Sequence, residues 1–419
     1  MKPSRIFLAL IFAVSNTILC IPIAGQTCKA VTGTIIDKKT KEPLAYASVS
    51  LKNNSNGTIS NQNGEFRFLY PAIITNDTLL INYIGYKQYC VPVSSTKQHL
   101  KVKLLPKTVE IDEVIVNPLL PEDYIKRAVR KIRENYELSA YQTSSYYKTF
   151  LTQNDSVIFG EEAVFKTYHP DFSESKQNQH QLMLYRKPEE VNAFKWNEKR
   201  KKDSDSTIVL GGNGMISGGP EDVLSFDLSK QLPAFLDTNL FRDYNYTFGS
   251  NTYYCEKEIV CIEFFTINRV DSQIEDDVDI IKEKQSGKIL IDKASLAIVG
   301  IELDANYIIP LYTKPLLSII RLNIKQPSFR QQINYIQNAG KWYLKSIRNE
   351  YQAELVRQYM FGKNEHWLVK GEQVFCVNNF NFNAPKEIPG AKRFNASTSI
   401  EKQLFNDDEL TWDNMNVIK

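Results

Sequence analysis

Four histidines, His99, His169, His180 and His366, are the side chains most suited to metal or acid–base chemistry in this chain, and their neighbours limit what they can do. Zinc hydrolysis needs a ligand pair such as H-x-x-E with a distant third ligand, or H-E-x-x-H on one helix face. None of the four has an acid three residues on, and H-E-x-x-H does not occur. The run "DSQIEDDVD" gathers Asp271, Glu275, Asp276, Asp277 and Asp279, whose oxygens suit calcium. It lacks the glycine that makes the sharp turn of a twelve-residue calcium loop, so it reads as a solvated acidic loop before Gly287. "LGGNGMISGGPED" places Gly211, Gly212, Gly214, Gly218 and Gly219 close together, but no lysine follows to complete a phosphate cradle. The basic cluster Lys199, Arg200, Lys201 and Lys202 lies between acids and reads as a solvated turn, with acidic head groups as the alternative partner. No G-x-S-x-G elbow is present. The sequence therefore nominates no catalytic, cofactor-binding or metal-binding residue, and no cofactor.

One stretch still has the look of a ligand loop: "GTISNQNGEFRF", Gly57 to Phe68. Setting Gly64 at the sixth position of a calcium loop puts Ile59 first and Tyr70 twelfth, where oxygen ligands belong. That register fails. As a turn the stretch makes sense, because Asn61 and Asn63 tolerate turn geometry and Gly64 permits positive φ. Phe66 and Phe68 then alternate into the next strand with Arg67 on the other face. The expectation is a hairpin-like connection with both phenylalanines buried.

Cysteines and aromatics add little chemistry. Beyond Cys20 the chain has Cys28, Cys90, Cys255, Cys261 and Cys376, too sparse and too odd in number for a disulfide scaffold. Cys255 and Cys261 flank "EKEIV" and either face each other across a hairpin or are small buried hydrophobes. Trp196, Trp342, Trp367 and Trp412 would stack on sugars only if several shared an exposed face; core or interface is the ordinary place for them.

The elements that would position these residues are mostly strands. Lys2 and Arg5 precede the apolar run Ile6 to Val14 and a less regular stretch ending "IPIAGQT", the pattern of a secretory signal over residues 1–25. Neither Cys20 nor Cys28 has the small residue before it that a lipoprotein signal requires. No later stretch has the roughly 18 apolar residues of a membrane-spanning helix. Without Lys2 and Arg5 the basic and acidic residues, 51 and 48 in the whole chain, nearly balance, which leaves no global field to attract nucleic acid. From Val31 the chain alternates: "VTGTIID", "LAYASVSLK", "GTIS", "GEFRFLY", "DTLLINYIGYKQYCVPV" and "LKVKLL" supply about seven short strands, an antiparallel β-sandwich. In "LAYASVSLK" the set Ala45, Ala47, Val49 and Leu51 should face the core, opposite Leu44, Tyr46, Ser48 and Ser50.

In order and wording these segments resemble carboxypeptidase-regulatory-like domains, a transthyretin-like family, over residues 28–106. "VEIDEVIV", Val109 to Val116, is similar to the segment that follows such domains in TonB-dependent receptors. The resemblance implies an accessory sandwich with no catalytic residues of its own, in a Gram-negative envelope protein, periplasmic, outer-membrane-associated or on the cell surface. The chain shows no receptor plug.

After a linker, 107–120, residues 121–419 open with a helix. Pro121 suits its first position, and Ile125, Ala128, Val129, Ile132 and Tyr136 form one apolar stripe. Its basic face, Lys126, Arg127, Arg130, Lys131 and Arg133, lies in water or on an anionic membrane. About eleven candidate strands follow, with a second helix near "PEDVLSFDLSKQLPAFL". They predict a larger antiparallel curved sheet, in the limit a half-barrel, with one or two packed helices. "GKILIDKASLAIVGIELD" resembles the repeating hairpin of Lol-type lipoprotein carriers, which implies an apolar cavity; a filled core is the alternative. The sequence thus reads as a mainly β, non-enzymatic envelope protein binding a protein, lipid or glycan partner, with a hydrolase or other enzyme of unrecognised site as the alternative.

Overall fold

The computed structural model describes residues 28–54, 56–107, 119–171, 177–188, 191–192, 219–267, 281–308, 314–319, 321–359, 362–395, 400–403 and 411–418. The expected signal segment, most of the linker, Trp196, Lys199–Lys202, Gly211–Gly218 and Asp271–Asp279 lie outside them.

Seven strands build the N-terminal sandwich: β1 (Cys28–Asp37), β2 (Ser48–Leu51), β3 (Gly57–Ile59), β4 (Glu65–Pro71), β5 (Thr78–Asn82), β6 (Tyr89–Pro92) and β7 (His99–Leu104). They form two sheets, ordered β4-β1-β7 and β3-β2-β5-β6. Val31, Ile35, Ala47, Val49, Leu51, Phe66, Phe68, Leu79, Ile81 and Val102 fill the space between them, so Ala47, Val49 and Leu51 of "LAYASVSLK" and both phenylalanines of "GEFRF" are read out as expected. Leu44, expected on the opposite face, is buried in this core while Ala45 is only partly buried, because β2 begins at Ser48 and the positive φ of Tyr46 breaks the alternation before it. Two further details differ from the expectation. β7 pairs with β1 in parallel, Ile35 opposite Val102, because β2 to β6 serve as the long crossover a parallel pair requires. The "NQNG" connection is no hairpin: β3 pairs with β2 and β4 with β1, so the chain passes from one sheet to the other. Gly64 makes that corner. Its φ is +72°, and a Cβ there would lie 2.3 Å from the Ile35 carbonyl oxygen. The Asn61 side chain accepts from Asn63 N and Glu65 N, each at 2.9 Å, holding the turn locally.

The larger sheet has eleven strands: β8 (Tyr141–Gln153), β9 (Ser156–His169), β10 (Gln179–Arg186), β11 (Tyr244–Phe248), β12 (Thr252–Tyr254), β13 (Lys257–Thr266), β14 (Ile281–Asp292), β15 (Ile298–Ile308), β16 (Leu322–Asn338), β17 (Lys341–Arg357) and β18 (Glu365–Asn381). The order is β10-β9-β8-β18-β17-β16-β15-β14-β13-β11, with β12 on β13, and the sheet is open rather than closed into a barrel. Segments "SIIRLNIK" and "FRQQINYI" are not two strands: the second and the latter half of the first form β16, which carries Pro327 at a register shift between Lys325 and Ser328. The first residues of "SIIRLNIK" belong instead to a short helix, Lys314–Ile319.

One row crosses seven strands in register: Tyr147, Phe375, Ile347, Ile333, Ile301, Ile289 and Ile262. All are buried, and this face holds the main core. It is covered by α1 (Pro121–Arg130), which buries Tyr124, Ile125 and Ala128, by α2 (Ile132–Asn135) and α3 (Gly219–Leu224), and by Leu228, Phe235 and Leu236. Tyr136, just past α2, donates its hydroxyl to the Ile298 carbonyl. Fully burying each aliphatic side chain of such a row stabilises by roughly 1.5–3 kcal/mol. Two residues along, the row is polar on four of these strands: Thr149, Gln373, Asn349 and Gln331 are buried and bonded, Gln331 Nε2 to Asn349 Oδ1 at 2.9 Å.

Candidate functional site

The sandwich sits on the opposite face of the large sheet, and the residues that place it there come from the non-core set of "LAYASVSLK". Ser48 and Ser50 are small and buried against the large sheet, and Gly57 lies so close to Lys345 that a Cβ would stand 2.9 Å from its Nζ. Tyr46 has φ of +63°, a sparsely populated conformation for a tyrosine, and directs its phenol at Glu372. The Glu372 carboxylate, with a side chain only 7% exposed, accepts from Tyr46 Oη at 2.6 Å, Gln62 Nε2 at 2.9 Å and Arg348 Nε at 2.6 Å. The Arg348 guanidinium stacks 4.2 Å from the Tyr46 ring centroid and also reaches Glu350. Burial, and then the charge of Glu372, push the Tyr46 phenol well above its ordinary pKa, so it stays a donor.

Beside this junction the outer face of sheet β4-β1-β7 forms a groove of about 240 Å³. Strand register aligns Arg67, Thr32 and His99 in one row and Glu65 and Thr34 in the next. Ile59, Val417 and Ile418 supply an aliphatic wall. Thr32 Oγ1 lies 3.1 Å from both the Gln98 carbonyl oxygen and His99 Nδ1. Because the hydroxyl donates to Gln98, it accepts from Nδ1–H, which leaves Nε2 of the neutral ring as an acceptor. Asn61 Nδ2 donates to Glu65 Oε2 at 3.0 Å. The groove thus offers donors, acceptors and an apolar wall, the ingredients of binding. Thr32 spends its proton on a carbonyl, so His99 does not activate it as a nucleophile.

A second cluster has the outline of a catalytic relay. His180 Nδ1 meets Thr167 Oγ1 at 2.9 Å and Nε2 meets Glu221 Oε2 at 2.7 Å. Burial works against ionisation of Glu221, but bonds from His180 and Asn178 and the charge of Lys230 outweigh it and hold the carboxyl below the usual range. Next to it, His169 is buried with Nε2 3.1 Å from Thr143 Oγ1 and its ring stacked on Tyr141. Burial, and then the Lys230 charge, keep His169 well below the ordinary histidine pKa. The limit on this arrangement is access: Thr167 is 0% exposed, and a substrate cannot reach a sealed hydroxyl. His366 pairs with Glu354 at 2.6 Å on the surface.

The remaining positions singled out in the sequence are dispersed. Cys255 and Cys261 are both free. Cys255 lies in the turn between β12 and β13, and burial pushes its thiol up to about 12 and that of Cys261 to about 11, which makes both poor nucleophiles. Trp342 and Trp367 are buried in separate clusters, and Trp412 lies under the Arg186 guanidinium, so these three form no shared sugar platform. Among the described residues no group of three or more His, Cys, Asp or Glu is placed to hold a metal, and no helix is long and apolar enough to cross a membrane. Sequence reasoning missed Glu372, Arg348 and the groove. Outward alternation on β1 does mark Thr32 and Thr34, but nothing local announces that residues beyond 410 will wall them in.

Residues 31–116 match the CarboxypepD_reg-like domain family, and this part of the chain is such a domain. No curated protein matches the chain. Among solved structures, a 9R-lipoxygenase from Cyanothece PCC8801 is 11% identical over 42% of this chain and 46% of its own, with a TM-score of 0.16; the chain thus spans less than half of the lipoxygenase's length. A putative membrane-associated protein of unknown function from Bacteroides fragilis NCTC 9343 is 11% identical over 84% of this chain and 98% of its own, with a TM-score of 0.15. At those scores neither similarity carries an argument.

Proposed function

We propose that the protein is an exported, non-enzymatic binding protein of a Gram-negative cell envelope, periplasmic or outer-membrane-associated. In this reading a carboxypeptidase-regulatory-like module at 28–106 is joined by residues 107–120 to a β-rich region at 121–419. The partner, a protein, lipid or glycan, is held in the groove along Thr32, Thr34, Glu65, Arg67 and His99. The observation that carries the reading is that groove. It brings hydrogen-bonding side chains of the sandwich against aliphatic residues from the far end of the chain, and it is open where Thr167 is sealed.

Native mass spectrometry of the protein purified from its own envelope fraction tests this. The expected result is a bound lipid, glycan or peptide mass that is lost in Thr34→Arg, whose longer side chain fills the groove. A bare polypeptide in the wild type, or a ligand indifferent to Thr34→Arg, would sink the assignment. Proteinase accessibility on intact cells separates a surface location from a periplasmic one. The hydrolase alternative rests on Thr167, His180 and Glu221; it requires Thr167→Val to abolish a measurable hydrolytic activity.

A further inference from the structure

Strand β4 is an edge of its sheet, and an edge strand presents alternate main-chain N–H and C=O groups that seek partners. Three residues of β4 face outward in this way. Glu65 is met by Asn61, through Asn61 N to Glu65 O at 2.7 Å and Glu65 N to Asn61 Oδ1 at 2.9 Å. Leu69 is met by the Asn416 side chain, which accepts from Leu69 N at 2.6 Å and donates to Leu69 O at 3.1 Å, as a neighbouring strand would. Between them, the main-chain groups of Arg67 have no protein partner among the described residues. The Arg67 guanidinium instead holds the carbonyls of Asp413 and Met415, at 2.6 and 3.2 Å.

The segment seated here, residues 411–418, is anchored on the other side by Asn378 Nδ2 to Asn416 O at 2.6 Å and by Tyr146 Oη to Ile418 O at 3.2 Å. Val417 and Ile418 are buried with Ile59, Tyr146, Val374 and Cys376. The seat therefore reads main chain at 413 and 415, a side-chain amide at 416 and two β-branched aliphatic side chains after it. It does so without a strand ladder. One side-chain amide makes both bonds to the β4 backbone, and among the described residues the Arg67 rung stays open.

We propose that the outer edge of β4, with Arg67, is a receptor for an extended polypeptide segment from a partner protein, and that residues 411–418 of the same chain hold it shut. The partner segment carries a side-chain amide followed by two β-branched aliphatic residues, the chemistry the seat already selects. Adding as a strand, it gains the Arg67 rung that the resident segment leaves unused. Arg67, Val417 and Ile418 also line the groove, so displacing residues 411–418 would remove its aliphatic wall; the peptide test below reads capture alone and does not depend on a groove ligand.

The test uses the full-length chain and a fluorescein-labelled synthetic peptide of residues 411–419, "TWDNMNVIK", as probe. Asn416→Ala weakens the resident segment, and that variant should bind the probe at least roughly ten-fold tighter than the wild type does. Binding should fall away when the probe carries alanine at its own Asn416 position, or when the variant also carries Arg67→Ala, and hydrogen exchange across β4 should slow on binding. Val417→Asp, which opens the seat by a different route, should reproduce the capture if Asn416→Ala fails to fold. A folded, opened variant that ignores the probe overturns the proposal, and so does capture indifferent to both the amide and Arg67.

Discussion

Glu372 and Glu256 both join the sandwich to the large sheet, under opposite conditions. Glu372 is buried and collects three donors from two parts of the chain. Glu256, at the turn between β12 and β13, has a side chain 52% exposed; it accepts from Gln88 N at 2.9 Å and pairs with Lys107 at 3.0 Å. Lys107 also lies 3.6 Å over the Tyr253 ring. The contrast teaches where docking specificity is kept. An exposed pair is screened and adds little, whereas a buried carboxylate tolerates only the partners that satisfy it. The first contact defines one seating of the sandwich, and the second steadies its rim.

Breaking the buried contact should have the largest effect. Glu372→Ala leaves Arg348 short of one partner and Tyr46 without an acceptor, and should lower unfolding stability by about 3 kcal/mol in urea titrations. A loss below about 1 kcal/mol would erase the distinction between the two glutamates. Gly64→Ala sharpens it from inside the sandwich, where geometry rather than charge is at stake. The positive φ and the 2.3 Å approach to Ile35 O should cost about 2–3 kcal/mol, read as a lower melting temperature.

His169 asks whether burial, rather than the junction, sets the scale. Its folded pKa is depressed, so the unfolded chain binds the proton more readily. Stability should be fully present above the ordinary histidine value of about 6.5 and decline as pH falls below it, and His169→Gln should flatten the difference between urea midpoints at about pH 7.5 and about pH 5. Smallest of all, Glu256→Ala should cost at most about 1 kcal/mol, and less in high salt. Its carboxyl is held down by the Gln88 amide and Lys107 against burial, so what it contributes is lost only as pH falls through the lowered value.

Strand alternation made the sandwich legible: Ala47, Val49, Phe66 and Phe68 are read correctly because burial on one face of a pleated strand is a local pattern. Pairing partners are not local. Nothing within "VTGTIID" says that β7 will lie parallel to it, and Pro327 splits a seventeen-residue strand into two apparent ones. Docking was the least readable. Tyr46, Ser48 and Ser50 look like the wet side of a strand, since small and hydroxylated side chains serve equally well against water or against another sheet. Glu372 is one acid among 48 acidic residues until Tyr46, more than three hundred residues earlier, is placed beside it.

The pairing of β8 with β18 has a consequence in time. β8 is complete by Gln153, yet its neighbour on one side begins only at Glu365. As the chain emerges, β8 to β10 can pair with one another but leave one long side unmatched until β18 is made. Closing a contact across more than two hundred residues is slow. Until β18 arrives, that side is the most vulnerable surface of the nascent protein, and folding helpers should be needed most during this wait.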